Sequence, residues 1–589
     1  MPELESALVQ LETSSLIRLA PDEIDLSYIF KHALTQDAAY GTLLKSRRAE
    51  LHRRVAEAIE VLWPDRHEEN AAVLAQHYAY AGLDDKAFAY AVMAGDVARR
   101  AFAHQEALDF YGRALVLGER LGDPRVRAVY SNRGTVFELM SNFSAAIENY
   151  NVMISSAQRR GDRAMEADAL NHLLTTQGST GHVPDAEQQL ERALGLARQS
   201  GDQELIVRVL WNIGLSVRFQ DPLRAADYFR QARDQARAAN LRELAAFALL
   251  DLNLELQHTG QWRASLECGQ QALEEFRALD NPPMIANALG MLSISYQARG
   301  ESTRARAAAE EGFRIGQAID NPWQIGYNDW NLLASDIDAG EFDHAVARAQ
   351  RILAVTEQMG ISLFVSVTKI RLARVYLELG QLDRAQTLAD EGAQALDTMQ
   401  ASVWLATALG TQAWIAVQRR ELNRAHDLLD PLWREGNDPP SDLWGFSIAG
   451  PAIAQLALAE HRSDFGLRFC NRLLDRFEQE EMWRYAAEMR YHRARFHLAQ
   501  NDWADAETDL TRARAIADNA GSRILAWRID AALAALYHER GEPARADAPR
   551  RHAIDLIHAL ANGIADETRR DAFLHGREVI AALGLFKYD

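Results

Sequence analysis

The chain has 589 residues and a mass of 65.9 kDa. That is far beyond the ~100–150 residues of an ordinary domain, so it holds either several cores or one extended repeat. Apolar residues make up 48% and charged residues 25%, which excludes long disordered or collagen-like stretches. A net charge of −19 repels nucleic acid and anionic lipid, so neither nucleic acid nor membrane is expected as a partner. The only two cysteines, Cys268 and Cys470, stand in no metal or redox spacing. A reducing cytoplasm without disulfides is the expected compartment.

In chain order, Glu3, Glu5, Glu12 and Arg18 interrupt the amino end, so it does not read as a secretory signal. Residues 4–11 predict a short amphipathic helix, and 15–19 and 24–30 predict two strands around the turn Ala20-Pro21-Asp22-Glu23. The densest basic cluster follows: Lys45, Arg47, Arg48, Arg53 and Arg54. In an acidic chain it suits contact with a partner module better than contact with nucleic acid.

Beyond it lies a repeat. A small residue recurs at Ala107, Ala146, Ala186, Ala225, Ser265, Ala305, Ala345, Ala385, Ala425, Gly466, Ala506 and Ala546, in steps of 39 to 41 residues. Apolar or small residues return four and seven places after each anchor, as in Tyr111 and Ala114 or Tyr150 and Met153, which is one helix face. A breaker, often with an aromatic, precedes many anchors: Ser141-Asn142-Phe143, Gly260-Gln261-Trp262, Gly340-Glu341-Phe342, Gly380-Gln381-Leu382 and Asn501-Asp502-Trp503. Twelve residues before anchors sit small residues such as Gly95, Gly134, Ser293 and Ala373, which let a preceding helix approach closely. Further turn signals, including Gly122-Asp123, Gly161-Asp162, Gly201-Asp202, Asp280-Asn281, Asp320-Asn321 and Gly360, separate one hairpin from the next. Each unit is predicted as helix, turn, helix, turn. The charge-free run 443–459 holds Gly445, Gly450 and Pro451 and is too short to span a membrane, so it predicts a buried helix.

The run Asn142-Phe143-Ser144-Ala145-Ala146 to Tyr150 resembles the tetratricopeptide repeat (TPR), with a period of about 40 in place of ~34. Residues 30–40 and 47–58, with Leu74-Ala75-Gln76-His77-Tyr78 and residues 81–87, resemble the segment that joins a winged-helix subdomain to the repeat arm of STAND-type signalling ATPases, including those fused to adenylate or guanylate cyclase domains. The two short strands then look like the wing, and residues 559–574 resemble the closing segment of the same regulators. The resemblance implies an all-α, right-handed α-solenoid of about twelve TPR-like hairpins over residues 84–560. It also implies a winged-helix-like α+β remnant (1–45), a helical junction (46–83) and a C-terminal capping segment (561–589).

No G-x-x-x-x-G-K-[ST] loop occurs, and the five lysines, Lys31, Lys45, Lys86, Lys369 and Lys587, follow no such loop. Family ATPase or cyclase activity is therefore not carried over, and no enzyme activity is expected. His492 and His497 are five apart and point to different helix faces, so no metal is expected, nor any cofactor. Cys470 reads as a small packing residue, and Gly178-Ser179-Thr180-Gly181 as a repeat turn.

First helices line the concave wall of such an arm. Counting back from the anchors gives Asn132, Trp211, Asn212, Trp330, Asn331, Arg374, Trp414, Tyr491 and Arg495 as candidate groove residues. The expected function is a non-enzymatic interaction scaffold or sensor arm that binds a protein or peptide in its groove, with a nucleotide-binding ATPase or cyclase module among the partners. The alternative is an arm that senses a small inducer, like that of the maltose-operon activator, and controls a partner ATPase, cyclase or transcription regulator.

Overall fold

A computed structural model describes residues 2–19, 28–180, 185–218, 220–399, 401–432 and 443–584. It divides into two compact units, Met1–Gly201 and Asp202–Asp589. No boundary at that point is legible in the repeat, which runs across it without a change of period.

The first unit opens with α1 (Pro2–Thr13) and a two-stranded antiparallel sheet of β1 (Ile17–Leu19) and β2 (Tyr28–Phe30), with Ile17 opposite Phe30. The expected turn 20–23 and strand residues 24–27 lie outside the described residues. Then come α2 (Ala33–Thr42), α3 (Lys45–Leu62) and α4 (Ala71–Ala81). Three hairpins complete the unit: α5 (Asp84–Arg100) with α6 (His104–Leu121), α7 (Val126–Leu139) with α8 (Phe143–Arg160), and α9 (Arg163–Thr180) with α10 (Ala186–Ser200).

The second unit continues the pairs. They are α11 (Gln203–Val217) with α12 (Pro222–Ala238), α13 (Arg242–His258) with α14 (Trp262–Ala278), and α15 (Pro282–Ala298) with α16 (Ser302–Ala318). Next are α17 (Pro322–Ala339) with α18 (Phe342–Gln358), α19 (Ser362–Glu378) with α20 (Leu382–Thr398), and α21 (Ser402–Gln418) with α22 (Leu422–Leu429). Last are α23 (Leu443–Ala459) with α24 (Ser463–Gln479), α25 (Trp483–Ala499) with α26 (Trp503–Asn519), and α27 (Arg523–Glu539) with α28 (Pro543–Asn562). Two short helices, α29 (Glu567–Leu574) and α30 (Arg577–Ala582), follow. Apart from the small sheet and the helices around it at the amino end, both units are arrays of tetratricopeptide-like helical hairpins.

Local chemistry sets the ends of these helices. The side chains of Asn142, Asp202, Asp221, Asn281 and Asn321 accept the amide of the third residue beyond, which satisfies a first-turn N–H that has no partner within the helix. Left-handed residues close the hairpins at Ser141, Gly260, Gly340, Gly380 and Asn501, and separate them at Gly122, Gly161, Gly201, Asp280, Asp320 and Gly360. Of the twelve anchors all but Ala186 are buried. The small residue twelve places earlier has a more specific use than close approach of two axes. A Cβ on Gly95 would lie 2.6 Å from the Tyr111 ring, and one on Gly134 would lie 2.3 Å from that of Tyr150. Absence of the side chain makes room for the ring.

Residues 443–459 form the buried helix α23, with Pro451 inside it. The segment Gly178-Ser179-Thr180 is not a repeat turn as expected: these residues complete the last turn of α9, and Gly181 lies outside the described residues. No described helix is long and apolar enough to cross a membrane.

Candidate functional site

In the second unit the first helices of distant hairpins meet. Arg484 on α25 pairs with Asp338 on α17 at 2.5 Å and with Glu488 on its own helix at 2.9 Å. Arg528 on α27 pairs with Glu378 on α19 and with Glu578 on α30, each at 2.8 Å. Arg299 joins Glu481, and Arg569 on α29 joins Asp343 at 2.7 Å, where Phe573 packs against Phe342. Partners separated by 146 and 150 residues are thus held together across the inner wall. The capping segment folds back onto the middle hairpins and not only onto the last one.

Aromatic side chains run through this interior. Ring centroids lie 5.6 Å apart for Trp330 and Phe364, 6.0 Å for Trp330 and Trp404, 5.4 Å for Trp404 and Trp444, and 5.5 Å for Trp444 and Trp262. Beside them lies a cavity of about 110 Å³, bounded by residues of α15, α17, α19, α21, α23 and α25. That is smaller than the ~150 Å³ of a closed cavity that holds benzene. A smaller cavity of about 30 Å³ shares Asp338, Arg374, Arg484 and Glu488 with it.

Three guanidinium groups and two carboxylates line the larger cavity: Arg371, Arg374 and Arg484 against Asp338 and Glu488. Both carboxylates are engaged by Arg484. Arg371 lies 3.2 Å over the Trp330 ring and donates from Nη1 to the Trp330 carbonyl at 2.5 Å. No carboxylate pairs with it among the described residues. Arg374 sits 4.1 Å over the Trp414 ring, its nearest carboxylate, Glu378, is 3.9 Å away, and its Nη1 has no hydrogen-bond partner among the described residues. Burial pushes Arg371 down to about 9, opposed only by Tyr485, Tyr327 and Asp338, so it is still a cation at neutral pH. Burial also lowers Arg374, more than Glu378 and Glu488 restore. For Arg484 and Arg528 burial acts in the same direction, but their paired carboxylates outweigh it and raise them. Burial, with Arg495 and Arg528 nearby, holds His492 well below the usual histidine range, so it is neutral.

The sequence-derived groove residues fall as follows. Asn132, on α7 of the first unit, is half-buried and donates to Asp96 at 3.2 Å. Trp211 and Asn212 lie on α11, where the Trp211 indole donates to Asp251 at 2.7 Å. Trp330 and Asn331 are each only 2% exposed, Trp414 4% and Tyr491 8%. Arg495 lies 5.7 Å over the Tyr491 ring. Trp330 and Arg374 line the larger cavity, and Arg374, Trp414 and Tyr491 line the smaller. The structure therefore brings Trp330, Arg374, Trp414 and Tyr491 together beside two neighbouring cavities of the second unit, while Asn132 lies in the first unit and Trp211 and Asn212 lie on α11, away from them.

Sequence reasoning missed Arg371, Trp404, Trp444, Arg484 and Asp338. A signal was present. Arg371 stands fourteen places before the anchor Ala385, and Trp404, Trp444 and Arg484 stand 21 or 22 places before theirs. These spacings fall on the face already used to select Trp330 and Trp211.

In the basic cluster, Arg48 donates to the carbonyls of Leu43 and Gly41 at the end of α2, and Arg53 pairs with Glu50 and Glu57. Lys45, Arg47 and Arg54 face solvent. Cys470 is fully buried, and burial pushes its thiol well up, so it is inert packing.

No protein-family model matches the chain, and no curated protein matches it. Among solved structures, the anaphase-promoting-complex hetero-tetramer Cut9–Hcn1 is 13% identical, covers 94% of this chain and 99% of its own, and has a TM-score of 0.47. A Rap protein complexed with competence and sporulation factor is 10% identical, covers 61% of this chain and 98% of its own, and has a TM-score of 0.45. Aspartyl phosphate phosphatase F from Bacillus subtilis is 10% identical, covers 67% and 94%, and has a TM-score of 0.34. At such scores and identities, the likeness carries no statement about ligand or activity.

Proposed function

We propose that the chain is a non-enzymatic protein-interaction scaffold whose amino-terminal helices dock a partner protein. The observation that carries this reading is where apolar surface is left open. In the first unit Leu34 is 82% exposed, Leu44 and Val61 77% and Leu62 66%, all on or beside α2 and α3. Large exposed hydrophobic residues of the second unit are few: Leu223, Met359, Met399 and Trp483. Exposed large apolar residues mark candidate interaction sites on folded proteins, and here the solvent-facing Lys45 and Arg47 stand beside Leu44, with Arg54 further along α3. An acidic-rimmed apolar face on a signalling ATPase or cyclase module fits it, as the resemblance to the STAND junction implies.

Photo-crosslinking in cells tests this. A crosslinker placed at Leu34 or Leu62 is expected to trap one protein with a nucleotide-binding module, and L34D is expected to abolish the adduct of the Leu62 probe. Trapping the same protein equally from Met359 rejects the reading.

A second reading, an arm that senses a small molecule and controls such a partner, is favoured by the cavity in the second unit, where Arg371 has no carboxylate partner among the described residues.

A further inference from the structure

Bringing a charged side chain out of water costs several kcal/mol unless a counter-charge and hydrogen bonds replace the lost hydration. Arginine cannot readily escape by losing its proton. In the second unit Arg484 and Arg528 meet this demand with two carboxylates each. Arg371 and Arg374, one helical turn apart on α19 and lining one cavity, meet it less fully: Arg371 has no carboxylate partner among the described residues, and Arg374 has only Glu378 at 3.9 Å. Arg371 has a ring face and one carbonyl, and the rest of its planar set of five N–H donors has no protein acceptor among the described residues. Around them the walls are flat and apolar: Trp404, Trp444, Val367 and Ile370.

We propose that this cavity is a binding site for a small organic oxyanion, in which Arg371 and Arg374 receive the carboxylate or phosphate and the tryptophans receive a flat apolar body. A guanidinium matches the two oxygens of such a group with paired N–H donors. The volume of about 110 Å³ is below the ~150 Å³ of a cavity that encloses benzene, so the site takes a small flat group with part of it in the open mouth, and not a folded peptide segment. The proposal rests on the second reading above for its biological use, but not for its chemistry.

The full chain is titrated calorimetrically with benzoate, phenyl phosphate, inorganic phosphate and benzamide, the last being the uncharged counterpart of benzoate. Benzoate or phenyl phosphate is expected to bind and to raise the thermal midpoint, with benzamide weaker by about tenfold or more. The stronger of the two binders identifies the natural headgroup as carboxylate or phosphate. R371M and R374M are each expected to weaken that binding about tenfold or more. R371M is also expected to raise the midpoint of the ligand-free protein, because an uncompensated buried charge is gone. A merely structural arginine would lower it. No binding by any probe, or equal binding of benzoate and benzamide, overturns the proposal, and this comparison needs no variant to fold. Binding of inorganic phosphate alone overturns the assignment of an apolar body. If benzoate binds but leaves the partner adduct at Leu62 unchanged, the sensing reading fails while the site stands.

Discussion

Two histidines meet nitrogen to nitrogen in the first unit: His52 Nδ1 lies 2.8 Å from His77 Nδ1, while His52 Nε2 lies 2.9 Å from the Tyr40 hydroxyl. One ring must donate and the other accept, so the pair tolerates at most one proton beyond neutrality. Burial holds both below the ordinary value of 6.5, and His52 lowers His77 further. As pH falls, the unfolded chain takes up these protons before the folded one. The stability contributed by the neutral pair is complete above 6.5 and is lost as pH drops through the lowered folded values. The thermal midpoint of the first unit is therefore expected to fall between about pH 7.5 and about pH 5.5, and H77N to flatten that dependence. Gly134 offers a second test. G134A is expected to cost about 1–3 kcal/mol by urea denaturation, because the new methyl meets the Tyr150 ring. The double variant G134A/Y150L is expected to be less destabilised than the sum of its singles. The need for a small residue at 134 was legible in the spacing, but its reason was not, since the ring that fills the space belongs to another helix.

At the scale of elements, the ion pairs that hold α17 and α19 against α25 and α27 are largely withdrawn from solvent, so breaking one leaves a poorly hydrated charge. Glu378 is 7% exposed and serves both Arg528 and, at longer range, Arg374. E378Q is expected to destabilise the second unit by about 3–5 kcal/mol, measured by chemical denaturation, with little relief from added salt. An exposed pair such as Arg66–Glu69 is expected to matter far less when removed. Helix ends were readable here because caps and left-handed turn residues act within three or four positions. The pairing of α17 with α25 was not, because nothing in either helix alone specifies a partner 146 residues away.

For the molecule as a whole, each of the two compact units has its own buried core. Tyr78, Phe88, Tyr111 and Tyr150 fill the first, and Trp330, Phe342, Phe446 and Phe477 fill the second. The fragment 202–589 is accordingly expected to retain its helical circular dichroism and a cooperative unfolding transition when expressed alone. Loss of that cooperativity would show that the first unit is required for the second to fold. Among the described residues, exposed large hydrophobic side chains lie mainly on the first unit, whereas Arg371, without a carboxylate partner, lines a cavity of the second, so the two proposals concern different parts of the chain.

The sequence by itself determined the period, the hairpins, their turns and the small-residue seams, because all of these follow from residues a few positions apart on one helix. Only the tertiary structure decided that first helices of distant hairpins in the second unit meet, that Trp330 and Trp414 each line a cavity between them, and that Arg371 lies there without a carboxylate partner among the described residues. The physical reason is accumulation: small rotations between successive hairpins sum over several repeats before two inner walls meet. No local spacing records that sum.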